Sequence, residues 1–138
     1  MADYLKPLPT LNAETAPFWA ALNRRELRFQ QCRRCGSHRY PIAPVCPRCL
    51  DAEFDWALAS GRGRVFSYVI FHRAYHRGFE ADVPYNVALI ALDEGVFMFS
   101  NIVGIANDAI RCDIPVMIEF DRVTDTITLP RFRPVSVP

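Results

Sequence analysis

Four cysteines in two matching pairs, Cys32-Arg33-Arg34-Cys35 and Cys46-Pro47-Arg48-Cys49, constrain this chain more than any other feature. Two residues between cysteines let one tight turn aim both thiolates at a single point. Two such turns facing each other place four sulfurs at the corners of a tetrahedron, the arrangement Zn²⁺ adopts in closed sites. Gly36 after the first pair and Pro47 inside the second suit such turns, because glycine tolerates positive φ and proline presets φ. Pro41 and Pro44 keep the intervening loop a short ribbon rather than a helix. Two disulfides, or four unrelated buried thiols, are the competing readings. The symmetry of the spacing favours a metal, zinc or iron bound in its place in vitro. Cys32, Cys35, Cys46 and Cys49 would fill the shell and leave no position for water or substrate, so the expected Zn²⁺ is structural.

A length of 138 residues suits one domain, or a small module plus a ribbon. With 51% hydrophobic and 22% charged residues the composition is that of a folded protein. The formal net charge of +1 supplies no bulk attraction to nucleic acid or to anionic membranes. Lys6 is the only lysine among many arginines; genomic base composition explains that bias more simply than a preference for planar phosphate or carboxylate recognition. No apolar run suits a signal peptide or a bilayer span, and reduced thiolates fit a reducing compartment, so the expectation is a cytoplasmic protein without a membrane partner.

Along the chain, residues 1–28 read as an extended arm, with Pro7 and Pro9, followed by a helix that Thr15 caps and that runs to about Arg25. Phe18, Trp19 and Leu22 form its apolar stripe, which is either core or a partner surface. Residues 29–58 read as the ribbon: a strand over 27–31 enters the first knuckle, His38 to Ile42 returns, and 50–60 serve as a link with Trp56 at the junction. Residues 59–138 read as a β-module. Strands are expected over Val65–Tyr75, Tyr85–Leu92, Val96–Val103, Val116–Val123 and Thr126–Phe132. A polar loop over 76–82, a hairpin turn at Asp93-Glu94-Gly95 and a helical turn within 105–113 separate them. The expected class is mainly β: helix, zinc ribbon, then a small closed five-stranded barrel of the OB type. A short β-sandwich is the alternative.

Catalytic signatures are scarce. There is no nucleophile elbow, phosphate-cradling loop or dinucleotide glycine fingerprint. His72 and His76 flank Arg73 and Tyr75, where a surface or satisfied histidine is the default. Cys112, the fifth cysteine, has only Arg111 and Asp113 beside it and reads as an ordinary buried or half-buried thiol. No catalytic residue is assigned.

The order of parts nevertheless resembles a known family. Phe-Trp on a helix is followed by Glu26-Leu27, the knuckles from Cys32 to Cys49 with Tyr40-Pro41 between them, Gly61 to Ser67, Pro84-Tyr85, and Leu92-Asp-Glu-Gly95. This is similar to the acyl-CoA-associated family with an N-terminal rubredoxin-like zinc ribbon and a C-terminal OB-fold, and the likeness covers about residues 17–132. The entry to a late strand through Cys112-Asp113-Ile114-Pro115 departs from the family, which usually has a glycine there. The resemblance implies an accessory, non-catalytic subunit of a thiolase or a thiolase-superfamily aldolase in lipid, steroid or related acyl-CoA metabolism. The carbon–carbon chemistry would then lie on the partner.

On that reading CoA phosphates would meet arginines, for which Arg73 and Arg77 beyond the long strand, and Arg62 and Arg64 at its start, are the candidates. Phe18, Trp19, Phe71, Tyr75, Phe79 and Tyr85 are the candidate partner contacts. The alternative is a single-stranded nucleic-acid module, with arginines along a groove and Phe66, Tyr68 and Phe71 as stacking platforms. The balanced charge makes nucleic acid the weaker partner.

Overall fold

The computed structural model describes residues 4–135. Helix α1 (Ala16–Asn23) starts with Pro17 in its first turn. Thr15 stands at the N-cap position, but its side chain caps no helix amide. Instead the Asn12 amide donates to Thr15 Oγ1 and the Thr15 amide to Asn12 Oδ1, a reciprocal turn that feeds the helix. The helix closes with the Glu26 amide donating to Ala21 O and the Arg25 amide to Leu22 O, both at 2.9 Å. That pairing is the Schellman pattern. It places Arg25 at φ 64, where glycine is usual, and the Arg25 guanidinium lies 5.5 Å from the Phe120 ring centre.

Strands β1 (Arg28–Cys32), β2 (His38–Arg39) and β3 (Phe54–Leu58) form an antiparallel sheet in the order β2-β1-β3. The stretch expected as a link is thus in part a strand, paired with β1 from Arg28↔Leu58 to Cys32↔Phe54. Its partner lies over twenty residues away in sequence, so no local pattern marks it.

The second sheet holds β4 (Arg62–Phe71), β5 (Tyr85–Leu92), β6 (Phe97–Ser100), β7 (Pro115–Arg122) and β8 (Thr128–Pro134), ordered β6-β5-β4-β7-β8 and antiparallel throughout. It curls into a half-barrel of the OB type rather than a sandwich. Closure is narrower than expected: beyond Ser100 the chain leaves β5 and makes one parallel bridge, Ile102↔Phe132. Asn86 fills the resulting gap, since its side chain accepts from the Ile102 amide and donates to the Ile102 carbonyl. β4 begins earlier and ends sooner than expected. Its start depends on close backbone approach: a Cβ on Gly63 would lie 2.5 Å from the Ala91 carbonyl oxygen.

One apolar core runs through both sheets. Phe18 and Leu22 of the helix and Leu27 and Phe29 of the ribbon join Val65, Ile90, Ile110 and Phe132 of the half-barrel. Asn23 ties the helix end to the half-barrel, donating to the Thr126 carbonyl and accepting from Thr128 Oγ1, each at 2.8 Å. Phe18 is only 2% exposed, so the expectation of a partner contact there is corrected: its ring is core. Trp19 is half-buried against it, the two rings meeting edge to face at 5.2 Å.

Candidate functional site

The two knuckles are conformational copies of one another. In each, the first cysteine's carbonyl accepts from the amide four residues on (Gly36 to Cys32, Leu50 to Cys46). In each, its amide donates to the carbonyl five residues on (Ser37 and Asp51). The fourth-on residue must take positive φ, which Gly36 does at 78° without strain and Leu50 does at 66° despite its side chain.

The four sulfurs lie within 4.8 Å of one another, with Cys32 and Cys49 at 3.5 Å and Cys35 and Cys46 at 3.6 Å. A disulfide needs about 2.05 Å, whereas a tetrahedral zinc with bonds near 2.3 Å sets sulfurs about 3.8 Å apart. The donor set therefore fits one metal ion and not two disulfides. The Ser37 hydroxyl, 3.0 Å from Cys35 and 3.4 Å from Cys46, lowers both thiols, Cys46 to about 6. For Cys49 a backbone hydrogen bond at Asp51 favours the thiolate, but burial and the crowd of sulfurs outweigh it and push the group up to about 11. Negative charge gathers on part of the cluster and is resisted on the rest, which a divalent cation resolves.

Behind the knuckles lies a polar cluster that the alternation of β1 does not announce. Gln30 and Arg39 are 1% and 3% exposed. The Gln30 side chain donates to the Ala43 carbonyl and accepts from the Ala43 amide and from Arg39 Nε. The Arg39 guanidinium sits 4.8 Å from the Phe54 ring centre.

At the far end of β4 the following loop builds a ladder of aromatic rings. Phe79 stacks on Tyr85 at 5.0 Å, Tyr85 on Phe71 at 5.2 Å, and Phe71 meets Tyr75 edge to face at 6.2 Å. Cations stand at both ends of this ladder: Lys6 lies 5.4 Å from the Phe79 ring centre and Arg73 lies 5.4 Å from that of Tyr75. Lys6 also pairs with Asp82 at 2.7 Å, and Gly78 lets the N-terminal arm pass, since a Cβ there would lie 2.5 Å from the Leu5 carbonyl. A hollow of about 400 Å³ beside the ladder is walled by Lys6, Phe71, Phe79, Phe99 and Arg131. Lys6 and Arg131 were not anticipated there; the one signal for Lys6 was its being the chain's single lysine.

The four candidate arginines do not form one cluster. Arg62 and Arg64 start β4, and Arg73 and Arg77 follow its end, a separation of roughly 25–30 Å along an extended strand. All four are exposed, and Arg64 donates to the Asp113 carbonyl. His76 accepts the Gly78 amide at its Nδ1 and so shapes the loop. Cys112 is exposed, not buried as expected. Of the three proposed stacking aromatics, Phe66 is exposed and Phe71 half-buried, while Tyr68 packs against the core. Among the described residues no helix is long and apolar enough to cross a membrane.

A four-cysteine knuckle pair that runs directly into an OB half-barrel defines a zinc-ribbon and OB-fold protein. Residues 19–55 match the ChsH2 rubredoxin-like zinc ribbon domain and residues 56–121 the ChsH2 C-terminal OB-fold domain; the chain belongs to this family. It is 39% identical over 130 residues to the probable enoyl-CoA hydratase alpha subunit of Thermomonospora curvata, covering 94% of this chain and 40% of that protein. The chain thus spans about two fifths of that relative's length. The benzoylsuccinyl-CoA thiolase subunit BbsA of Thauera aromatica is 29% identical over 99 residues, 72% of this chain and 66% of that one. Among solved structures, a chain of the Ltp2-ChsH2(DUF35) aldolase superposes with a TM-score of 0.83 at 38% identity, over 92% of this chain and 98% of the other.

Proposed function

We propose that this chain is a non-catalytic accessory subunit that docks to a thiolase-like enzyme and helps to hold its acyl-CoA substrate, with the bond-making chemistry on the partner. The observation that carries the reading is the ladder over residues 71–85, which gathers aromatic anchors and cations at one place on the surface. Such a mixture is what interface centres use. The ladder belongs to a fold shared with subunits of an aldolase and of a thiolase. Zinc held by Cys32, Cys35, Cys46 and Cys49 supplies rigidity to the ribbon and no chemistry. Arg73 and Arg77 offer paired donors to CoA phosphates, Tyr75, Phe79 and Tyr85 meet the partner, and the setting is cytoplasmic acyl-CoA or lipid metabolism.

The test is coexpression with the Ltp2 chain of the aldolase relative as partner. A stable complex is expected, with thioester turnover in the complex and none in the isolated chain. Replacing Arg73 and Arg77 by Ala should weaken CoA-thioester binding by roughly tenfold, as expected for losing a charge-assisted hydrogen bond. Robust turnover by the isolated chain, abolished by His72→Ala or Cys112→Ala, would overturn the reading. So would failure of the two chains to assemble.

A further inference from the structure

A buried charge without a counter-charge is among the costliest groups a fold can hold. Arg39 is one: it is 3% exposed, and among the described residues no acceptor meets its Nη1 or Nη2. Only its Nε is bonded, to Gln30 Oε1 at 3.2 Å and to the Ala43 carbonyl at 3.1 Å, both uncharged. The Phe54 ring covers the guanidinium and offsets part of the cost. The register shows what lies beside it. Arg39 is paired with Gln30, and the next row on that face of the sheet is two residues, or roughly 7 Å, further along. That row holds Cys32, with Phe54 opposite it on β3 and Ser37 bonded to its amide. Because the guanidinium lies on the Phe54 ring, it leans from its own row toward the one that carries Cys32. The second knuckle approaches the same point: Ala43, which bonds Arg39, lies three residues before Cys46, whose sulfur is 3.4 Å from the Ser37 hydroxyl. Both cysteines are buried, at 2% and 0% exposed. The ribbon's carboxylates are engaged elsewhere. Glu53 and Asp55 pair with Arg33, Asp55 on the opposite face of the sheet beside Gln31, and Asp51 accepts from the Glu53 amide.

We infer that Arg39 is the buried counter-ion of the four-cysteine metal centre, a fixed positive charge that favours the metal-loaded and more negative states of the cluster. The inference rests on the metal assignment and is independent of the accessory role. Four thiolates around a divalent ion leave two negative charges in excess, and in a site poor in water a cation several ångströms away feels that excess strongly. Arginine suits the position because it keeps its proton when buried, where a lysine shifts toward its neutral form. The other knuckle arginines cannot do the same. Arg33 is neutralised by Glu53 and Asp55, and Arg34 and Arg48 are exposed, so water screens them.

The experiment uses the full chain loaded with iron in place of zinc, because a one-electron couple reads the local charge directly. Arg39→Met keeps an apolar stem and removes the charge, whereas Arg39→Lys keeps the charge. Without the cation the reduced, more negative cluster should be disfavoured at least about tenfold, a fall in potential of about 59 mV. Arg39→Lys should stay near the parent. Arg48→Gln, which removes a solvated charge, should shift the potential far less, and high salt should erase that shift. The zinc form of Arg39→Met should also hold its metal about tenfold less tightly in competition with a chelator. A Met variant that folds and melts lower but keeps the parent's potential would make Arg39 a packing residue and overturn the inference. Equal falls in the Met and Lys variants would do the same, since charge would then not be what matters. If Arg39→Met does not fold with metal, Arg39→Gln takes its place. Folding of the Lys variant alone, at the parent's potential, supports a required charge, and failure of all three variants counts against it. A parent chain that purifies with no metal removes the site itself, and the inference falls with it.

Discussion

The ribbon and the half-barrel solve the same problem by different means. The ribbon sheet has strands of 5, 2 and 5 residues, its buried groups include Gln30, Arg39, Cys32 and Cys46, and four sulfurs meet at its tip. Too little apolar area is available there to offset chain entropy, so the fold depends on a few directional contacts around one point. The half-barrel has longer strands and an apolar interior of Val65, Ile90, Met98, Ile110 and Phe132, whose stabilisation is spread over many weak contacts. A region held by few strong bonds fails abruptly when one is removed. A region held by many weak ones loses stability in proportion to what is lost.

Metal removal should give the largest effect and the sharpest form of that contrast. Cys46→Ser, or a strong chelator, should cost the ribbon several kcal/mol and unfold it, because metal binding free energy in such modules is folding free energy. Trp19 and Trp56, both packed at the ribbon side of the core, should report the loss as a red-shifted emission. Amide protection in β5 should persist. Freshly purified protein with no zinc or iron and four freely titrating thiols would falsify the metal assignment. Simultaneous loss of protection in β5 would instead show that the shared core makes the two regions one cooperative unit.

Phe132→Ala should come next. The ring is fully buried, and its truncation should cost about 3–5 kcal/mol through lost transfer energy and the cavity left behind. Here the midpoint of unfolding should fall while metal content stays at one per chain. The smallest effect belongs to Lys6→Ala. The Lys6–Asp82 pair is partly solvated, and its loss should change stability by less than about 1 kcal/mol. Hydrogen exchange in the 76–82 loop should nonetheless accelerate, since Lys6 also covers the end of the aromatic ladder. Unchanged exchange there would mean that Phe79 and Tyr85 hold the loop without the arm.

Much of this was legible in the order of residues. Spacing alone brought Cys32, Cys35, Cys46 and Cys49 together, because a C-x-x-C turn is closed by its own backbone and needs little from elsewhere. Five strands were readable in the second half from β-branched and aromatic runs separated by turn residues. The misreadings share a cause. β3 reads as a link in the sequence, because what makes 54–58 a strand is β1, far away in sequence. Gln30 broke the alternation of its strand, and its partners Arg39 and Ala43 lie across the ribbon. Phe18 could not be divided between core and surface by helical periodicity, which marks a stripe but not what covers it.

By itself the sequence determined the knuckles, the five strands of the half-barrel and the sites of the turns, all consequences of chain stereochemistry over a few residues. Tertiary structure alone decided that Arg62 and Arg64 stand far from Arg73 and Arg77, and that Lys6 completes a ladder with residues more than sixty positions away. It also decided that a bulge after Val65 turns Val69 and Phe71 onto the face that Phe66 shares with Phe97. These are matters of register and curl. A strand's side chains alternate with a period of two, so one inserted residue changes which face they share, and nothing within the strand itself states which neighbour it will meet.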